Sequence, residues 1–250
     1  SVVCGQLYTL YLVSDDTGTK FHLVYCFQFR TPNPLFLNIG NRIPQAIFGG
    51  CKASAAIDTE GGVIAITESV FKQPTQKIEA VFLPFNEKAV KLAFSDKYVI
   101  SLSKNGRVFK SKISGSSLHK FDEVKELSGK SVIDISGSSD FCFAVLEDGR
   151  VFGRGSNCRY KLGLPEESSS TSTFEEIESL KKFKIVSAFA GSFHSIFKTS
   201  DGKMIVCGDN NYGQLFISPR KVVYPPEVVE SYNGFNFCVT GSGVSTAFVG

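Results

Sequence analysis

Short apolar runs separated by glycine-containing turns are the dominant pattern along this chain. The segments DTGTKFHL, EGGVIAI, NGRVFKS, DGRVFGR and DGKMIVC each place a glycine just before a strand-like run. Flanking Val, Ile and Phe favour strands, and Asn-Gly or Asp-Gly supplies the positive φ of a tight hairpin. The pattern predicts a series of β-hairpins built on five turn glycines, Gly18, Gly61, Gly106, Gly149 and Gly202.

The hairpins recur at a regular interval. Subtracting the glycine positions gives separations of 43, 45, 43 and 53 residues. Positions further upstream keep the same step, since Val81, Val124 and Ile177 are related by the offsets 43 and 53. A period of roughly 40 to 50 residues with several short strands per unit is typical of β-propeller blades. We therefore predict an all-β propeller that forms one domain over residues 1–250.

Each repeat is predicted to contain a connecting segment, a strand leading into a small-residue motif, a strand ending at the turn glycine, and a returning strand. The best helix candidate, Phe174 to Phe183, is expected to form no more than a turn or two. Small or β-branched residues recur four positions after each motif begins, at Thr9, Ser54, Val99, Cys142, Ser195 and Ser245. The predicted repeats span approximately residues 1–45, 46–90, 91–133, 134–186, 187–236 and, in part, 237–250.

Composition narrows the range of partners and sites only a little. A net charge of +3 on 250 residues excludes a global attraction to nucleic acid but leaves local basic patches open. Seven cysteines without a CxxC pair are interpreted as reduced core residues, which favours a nuclear or cytoplasmic location. We predict no metal site and no cofactor, because the three histidines are isolated from one another. No apolar run approaches the roughly 18 residues of a membrane helix.

The fourth and fifth repeats carry a recognisable motif. Their sequences are SGSSDFCFAVLEDGRVFGRGSNCRYKLGL and AGSFHSIFKTSDGKMIVCGDNNYGQLF. They resemble the repeat of the regulator of chromosome condensation family, whereas residues 1 to about 130 keep only its turns and spacing. Arg154 and Cys207 stand where that family has an aromatic residue. The best-matching positions are Gly191, His194, Ser195, Asp201, Gly202, Gly208, Asn210, Gly213, Gln214 and Leu215.

The resemblance implies a β-propeller that usually has seven blades. This chain supplies five full repeats and the opening of a sixth, so sequence beyond it completes the ring, the ring is smaller, or it is open. The chain contains no Trp, which excludes the tryptophan-based ultraviolet receptors of this fold.

The resemblance also implies a non-catalytic role. The first expectation is a binding scaffold or a guanine nucleotide exchange factor for a Ran-type small GTPase. The alternative is a recruitment module of a larger regulatory protein or ubiquitin ligase, without exchange activity. A propeller hydrolase is less favoured, because inward carboxylates or histidines are not evident in the repeat.

Charged residues of the fourth and fifth repeats are the candidate contacts for a partner, although scattered solubilising charge would look similar. Basic residues on one rim would suit an acidic protein surface, DNA or chromatin. The segment Pro165 to Glu176 is interpreted as a solvated loop or, alternatively, as a docking or phosphorylated protrusion. His194 is favoured as a packing residue, since Phe141 occupies its place in the preceding repeat. The predicted set is Arg150, Arg154, Arg159, Lys161, Glu166, Glu167 and His194.

Overall fold

The computed structural model describes residues 2–4, 8–14, 21–27, 35–50, 53–67, 78–95, 98–114, 117–167, 169–217, 221–233, 235–240 and 245–249. These residues form short antiparallel strands joined by turns and 3-10 turns. The chain consists of two compact units, Ser1–Val124 and Lys125–Gly250. That the whole chain is one domain stays a prediction.

Three sheets make up the first unit. The first sheet contains β1 (Val2–Cys4), β2 (Tyr8–Ser14), β3 (Phe21–Phe27) and β4 (Leu35–Phe36). The second contains β5 (Pro44–Gly49), β6 (Ala53–Asp58), β7 (Val63–Thr67) and β8 (Ala80–Val81). The third contains β9 (Ala89–Phe94), β10 (Tyr98–Ser103), β11 (Val108–Ser114), β12 (Ser117–Leu118) and β13 (Asp122–Glu123).

The second unit has two four-stranded sheets and one hairpin. The fourth sheet contains β14 (Val132–Gly137), β15 (Phe141–Leu146), β16 (Val151–Ser156) and β17 (Ser170–Glu176). The fifth contains β18 (Ile185–Ala190), β19 (His194–Thr199), β20 (Lys203–Asp209) and β21 (Val222–Asn233). The hairpin pairs β22 (Phe235–Thr240) with β23 (Ser245–Val249). Short 3-10 turns cover Pro84–Asn86, Lys125–Leu127, Cys158–Tyr160 and Glu178–Leu180.

The all-β prediction is confirmed, and each sheet corresponds to one predicted repeat. The segment Phe174 to Phe183, the best helix candidate in the sequence, contains the end of β17 and the 3-10 turn Glu178–Leu180. The loop predicted for Pro165 to Glu176 is wrong over its second half, because Ser170–Glu176 is the outer strand of the fourth blade. Buried Phe174 anchors this otherwise polar strand to the blade.

The order of strands gives every blade two distinct ends. Consecutive strands are antiparallel, so the turn between the second and third strands lies at the same end as the connectors between blades; we call this the turn end. The loops after the first and third strands lie at the opposite end, which we call the loop end. In the fourth blade the loop end contains residues 138–140, 157–167 and 169, and the turn end contains residues 147–150.

The turn glycines of the described residues adopt the left-handed conformation. Their φ angles are +83° at Gly61, +75° at Gly106, +93° at Gly149 and +84° at Gly202. Gly18 lies outside the described residues. The same turns fasten neighbouring blades: the carbonyl of Gly61 accepts from the Ala89 N–H and that of Gly149 from the Ile185 N–H, both at 3.2 Å.

Apolar side chains between adjacent sheets form the cores of both units. In the first unit, one cluster joins the second and third sheets and includes Phe94, Phe109 and Phe121. A further cluster joins the first and second sheets and includes Leu10, Leu23 and Ile64. In the second unit, the rings of Phe143 and Phe197 meet edge-on at 5.0 Å. Of the predicted small residues, Ser54, Val99, Cys142 and Ser195 are buried, Thr9 is half-buried, and the side chain of Ser245 lies outside the described residues.

Candidate interaction surface of the fourth and fifth blades

Buried asparagines shape the loops after the third strands of these blades. The Asn157 Oδ1 accepts the Leu162 N–H at 3.0 Å, and the Asn210 Oδ1 accepts the Leu215 N–H at 2.9 Å. The Asn157 amide also donates to two carbonyls, including that of Glu166 at 2.6 Å. A side chain that satisfies buried loop N–H and C=O groups holds the loop in one conformation.

Asp209 organises the polar side chains around it at the loop end. Its side chain is only 6% exposed and accepts the Arg159 guanidinium at 2.7 Å. Two amides complete the site: Asn211 donates to the same oxygen, and Gln214 donates to the other oxygen at 2.7 Å. One buried carboxylate therefore fixes an arginine from the fourth blade and two residues from the fifth.

Two exposed aromatic residues come from the segments around Asp209: Tyr212 follows it in the same loop, and the Phe193 carbonyl accepts the Asp209 N–H at 2.8 Å. Tyr212 is 81% exposed, yet its N–H is held by the Gln214 side-chain carbonyl at 2.9 Å. Phe193 is 42% exposed, and the Arg159 guanidinium carbon lies 5.9 Å from its ring centre. We call Arg159, Phe193, Asp209 and Tyr212 the loop-end cluster. It combines aromatic surface with a fixed arginine, the side chains most enriched at protein-binding hot spots.

Lys161 is not available to a partner, which corrects its prediction as a contact residue. Its side chain is completely buried, and its ammonium donates to both Asp140 carboxylate oxygens at 2.7 and 2.8 Å. The rings of Phe141 and Phe193 lie 4.9 and 5.3 Å away, and the Ser192 carbonyl accepts at 3.3 Å. The ammonium is therefore a structural cation under the loop-end cluster.

His194 is also removed from the predicted contact set, because it is fully buried at the start of β19. Its ring packs directly on Gly191, where a Cβ would lie 2.2 Å from the imidazole Cε1. Burial lowers the pKa of His194 to about 4, against a smaller raising effect of Asp209. The favoured interpretation of this histidine as a packing residue agrees with its placement. The neighbouring Ser195 hydroxyl donates to the Lys161 carbonyl at 2.6 Å.

The low pKa of His194 predicts an acid-sensitive fold. Between pH 6.5 and about 4 the unfolded histidine binds a proton that the folded one excludes, so stability falls as the pH falls. We expect a loss of about 2 kcal/mol between pH 7.5 and 5. Urea unfolding at both pH values measures it.

Matched variants identify the group responsible for that loss. His194→Phe, which copies Phe141 of the preceding repeat, should remove most of the difference between the two pH values. The exposed His119 offers the control, and His119→Gln should keep the difference unchanged. An undiminished loss in His194→Phe would show that another group is responsible.

The remaining predicted residues do not converge on one surface. Arg150 lies at the turn end, paired with Asp148 at 2.8 Å and Glu176 at 3.6 Å. Arg154 is half-buried in β16, opposite Cys142. Glu166 and Glu167 are exposed in the loop after β16. Of the predicted set, only Arg159 belongs to the loop-end cluster.

Phe193, Asp209 and Tyr212 were missed because sequence reasoning assigns aromatics to the core and Asp-Asn pairs to turns. A signal was nevertheless present. The string DNNYGQLF of the fifth blade shares its Asn and Leu with the equivalent loop of the fourth blade, SNCRYKLG. Between these shared residues the two loops differ, with Tyr212 in place of Arg159. Variation inside a fixed loop is where an interaction surface is placed.

The cysteine prediction is only partly right. Cys142 and Cys207 are buried, and burial raises the pKa of both thiols, that of Cys142 to about 12. Cys158 is exposed and therefore is not a core residue. Among the described residues, no three His, Cys, Asp or Glu side chains cluster as metal ligands would. The described part of the chain also contains no helix with the length and apolarity to cross a membrane.

Successive four-stranded antiparallel sheets, fastened through their turns, define the class of protein as a β-propeller. Residues 148–197 match the family model of the Regulator of chromosome condensation (RCC1) repeat, and residues 185–214 match a second model of the same repeat. The resemblance predicted from the sequence is confirmed for this part of the chain, which matches the RCC1 repeat.

Known proteins extend this comparison. The chain is similar to the Probable E3 ubiquitin-protein ligase HERC3 of Homo sapiens, at 30% identity over 98 residues. That match covers 39% of this chain but only 9% of HERC3, so the chain spans a small part of its relative's length. Human WBSCR16 has a similar fold, with a TM-score of 0.77 and 14% identity over 100% of this chain and 72% of its own. Prp20p of Saccharomyces cerevisiae also has a similar fold, with a TM-score of 0.72 and 12% identity. The match covers 99% of this chain and 67% of Prp20p.

Proposed function

We propose that this chain is a protein-interaction propeller that binds a partner protein through the loop-end cluster. The observation that carries the proposal is the fixation of Arg159 by the buried carboxylate of Asp209, beside exposed Tyr212 and Phe193. Side chains fixed before binding lose little conformational entropy when a partner arrives. An exposed aromatic residue in a rigid loop is suited to become a buried anchor in a complex.

A binding role, and not catalysis, suits the polar groups of these blades. The Ser195 hydroxyl is engaged by a backbone carbonyl, and the ammonium of Lys161 is enclosed with Asp140. His194 is packed against Gly191. These three groups are thus committed to holding the blades together, and a hydrolase is the least supported of the three functions.

The more specific proposal is guanine nucleotide exchange on a Ran-type small GTPase. It is supported by the fold shared with Prp20p, a protein whose binding to Gsp1p and to histones has been studied. Exchange requires no covalent chemistry, because a surface that binds the nucleotide-free GTPase more tightly than the loaded form shifts the equilibrium. Such an activity would be carried out in the nucleus or cytoplasm. Contact with DNA or chromatin is the less supported partner, because Arg150 and Arg159 lie at opposite ends of their blade.

Recruitment without exchange is the second candidate. It is favoured by the similarity to HERC3, a probable E3 ubiquitin-protein ligase, over 39% of this chain. In that case the loop-end cluster would hold a partner for another part of a larger protein.

Release of labelled GDP from a Ran-type GTPase tests the specific proposal. We expect catalytic amounts of the chain to accelerate release, and Tyr212→Ala or Arg159→Ala to reduce the acceleration at least tenfold, since hot-spot residues contribute about 2 kcal/mol or more. Arg150→Ala at the turn end is the control and should act as wild type. If the chain binds the GTPase without accelerating release, and Tyr212→Ala abolishes that binding, the result would favour recruitment. Loss through Arg150→Ala alone would contradict the placement of the partner at the loop end.

A further inference from the structure

The connector between the second and third blades carries exposed aromatic side chains that the fold does not require. Residues 82–88 join β8 to β9 at the turn end, and within them Phe82 is 45% and Phe85 72% exposed. Leu83, between them, is buried and anchors the connector. The connector therefore has its own core residue, and the two phenylalanines are additional.

Two later connectors of the same chain are polar at the positions of Phe82 and Phe85. Residues 125–131 and 178–184 have the same length and occupy the same place in the repeat, because Val124 and Ile177 correspond to Val81. They carry Lys125 and Glu178 in place of Phe82, and Ser128 and Lys181 in place of Phe85. Single exposed apolar residues are common on protein surfaces. Two exposed apolar residues on one connector, where the two later connectors are polar, indicate a surface with a role of its own.

Arginines hold both rings in place. The Arg42 guanidinium carbon lies 5.1 Å from the centre of the Phe82 ring, and that of Arg107 lies 4.6 Å from the Phe85 ring. Phe85 itself has a φ of +59°, which bulky residues rarely adopt. The bond from the Glu87 N–H to the Pro84 carbonyl, at 3.2 Å, closes the turn that presents the ring. Both rings are therefore presented in a fixed arrangement.

A depression of about 350 Å³ lies at Arg42, and Asn41, Asp58, Thr59 and Glu60 give it a mostly polar lining. It is lined by Arg42, the same residue that stacks on Phe82, and by Ile43, which is 47% exposed. We call Arg42, Ile43, Phe82, Phe85 and Arg107 the phenylalanine patch. Its two rings and Ile43 offer exposed aromatic and aliphatic surface to apolar side chains of a ligand.

The charges around the phenylalanine patch cancel. Arg42 pairs with Asp58 at 2.5 Å and with Glu60 at 3.7 Å. Arg107 pairs with Glu123 at 2.7 Å and with Glu87 at 3.4 Å. Lys88 and Lys104, joined through their backbones, add two exposed positive charges. Each guanidinium already has two carboxylate partners, so an acidic ligand or a nucleic acid would have to displace them, whereas an uncharged apolar ligand would not.

We infer that the phenylalanine patch is a second docking site, which binds an uncharged segment of a partner protein through aliphatic or aromatic side chains. The segment lies across Phe82 and Phe85, with its apolar side chains against the two rings and against Ile43. This site is separate in function from the loop-end cluster, since it recognises apolar side chains and uses no free charge.

Selection from a random dodecapeptide phage library on the full-length chain tests the inference. The selected peptides should carry at least two aliphatic or aromatic residues and a net charge near zero. Their binding should fall at least tenfold in Phe82→Lys and in Phe85→Ser, substitutions that copy Lys125 and Ser128 of the equivalent connector. Phe36→Ser is the matched control, because Phe36 is 64% exposed on β4 and should be replaceable without effect.

Other outcomes would overturn the inference. Enrichment of acidic peptides, equal binding by Phe82→Lys and Phe85→Ser, or no enrichment at all would each contradict it. Sedimentation that shows a wild-type dimer dispersed by Phe85→Ser would identify a second copy of the chain as the occupant instead. Tyr212→Ala should leave peptide binding intact, so failure at the phenylalanine patch is distinguishable from failure of the proposed function at the loop-end cluster.

Discussion

Gly155→Ala is expected to destabilise the folded protein strongly. Gly155 has a φ of +111°, and a Cβ there would lie 2.1 Å from the Asp140 carbonyl oxygen and 2.6 Å from the Phe141 Cα. Both neighbours are backbone atoms, so neither can rotate away. The approach is needed because the Ser156 N–H donates to that same Asp140 carbonyl at 3.0 Å.

The expected loss is about 3 to 5 kcal/mol, combining the strained φ with displacement of the backbone. A loss of this size is a large fraction of the stability of a typical domain. Thermal unfolding followed by circular dichroism measures it. Gly129→Ala is the control, since Gly129 has a φ of +72° but nothing within 4 Å of its Cβ position. Equal unfolding temperatures for the two variants would show that the close approach is not the cause.

Asp140→Ala is the second variant with a large expected effect. Its carboxylate is the counter-ion of the completely buried Lys161 ammonium, which it accepts through both oxygens. Removing the carboxylate leaves a positive charge between two phenyl rings with one backbone carbonyl as partner. Uncompensated buried charges cost about 3 to 5 kcal/mol, and we expect a loss in that range.

The reverse substitution should be much milder. Lys161→Gln leaves Asp140 with its side chain 47% exposed, where water can solvate the carboxylate. Gln is also the residue at the equivalent position of the next repeat, Gln214. We expect a loss of about 1 to 2 kcal/mol, and the double variant should recover most of the Asp140→Ala deficit. Urea unfolding of the four proteins gives the coupling energy. Additive losses would contradict the assignment of Asp140 as the counter-ion.

Repetition made the fold predictable. The interval between turn glycines, the strand-forming residues around them and the matching upstream positions each pointed to the same unit. Five sheets and a hairpin follow that prediction. β17 escaped it because Ser170 to Thr173 are all polar and show no apolar alternation, and the strand forms through backbone pairing with β16 and burial of Phe174. Local sequence does not contain that pairing.

The surface was less predictable than the fold for a related reason. Lys161 looked like one of several exposed basic residues, and its burial depends on Asp140, which lies 21 positions earlier. Tyr212 and Phe193 were not singled out from the sequence, and their exposure depends on loops fixed by Asn210 and Asp209. Side-chain partners distant in the chain decide which charged and aromatic residues face solvent.

Hydrogen–deuterium exchange of the full chain with a nucleotide-free Ran-type GTPase tests the central claim most directly. Binding at the loop-end cluster predicts slower exchange in residues 157–163, 191–194 and 209–215, with the turn-end residues 147–150 unchanged, and no such protection in Tyr212→Ala. Protection confined to the turn end, or protection that persists in Tyr212→Ala, would contradict it.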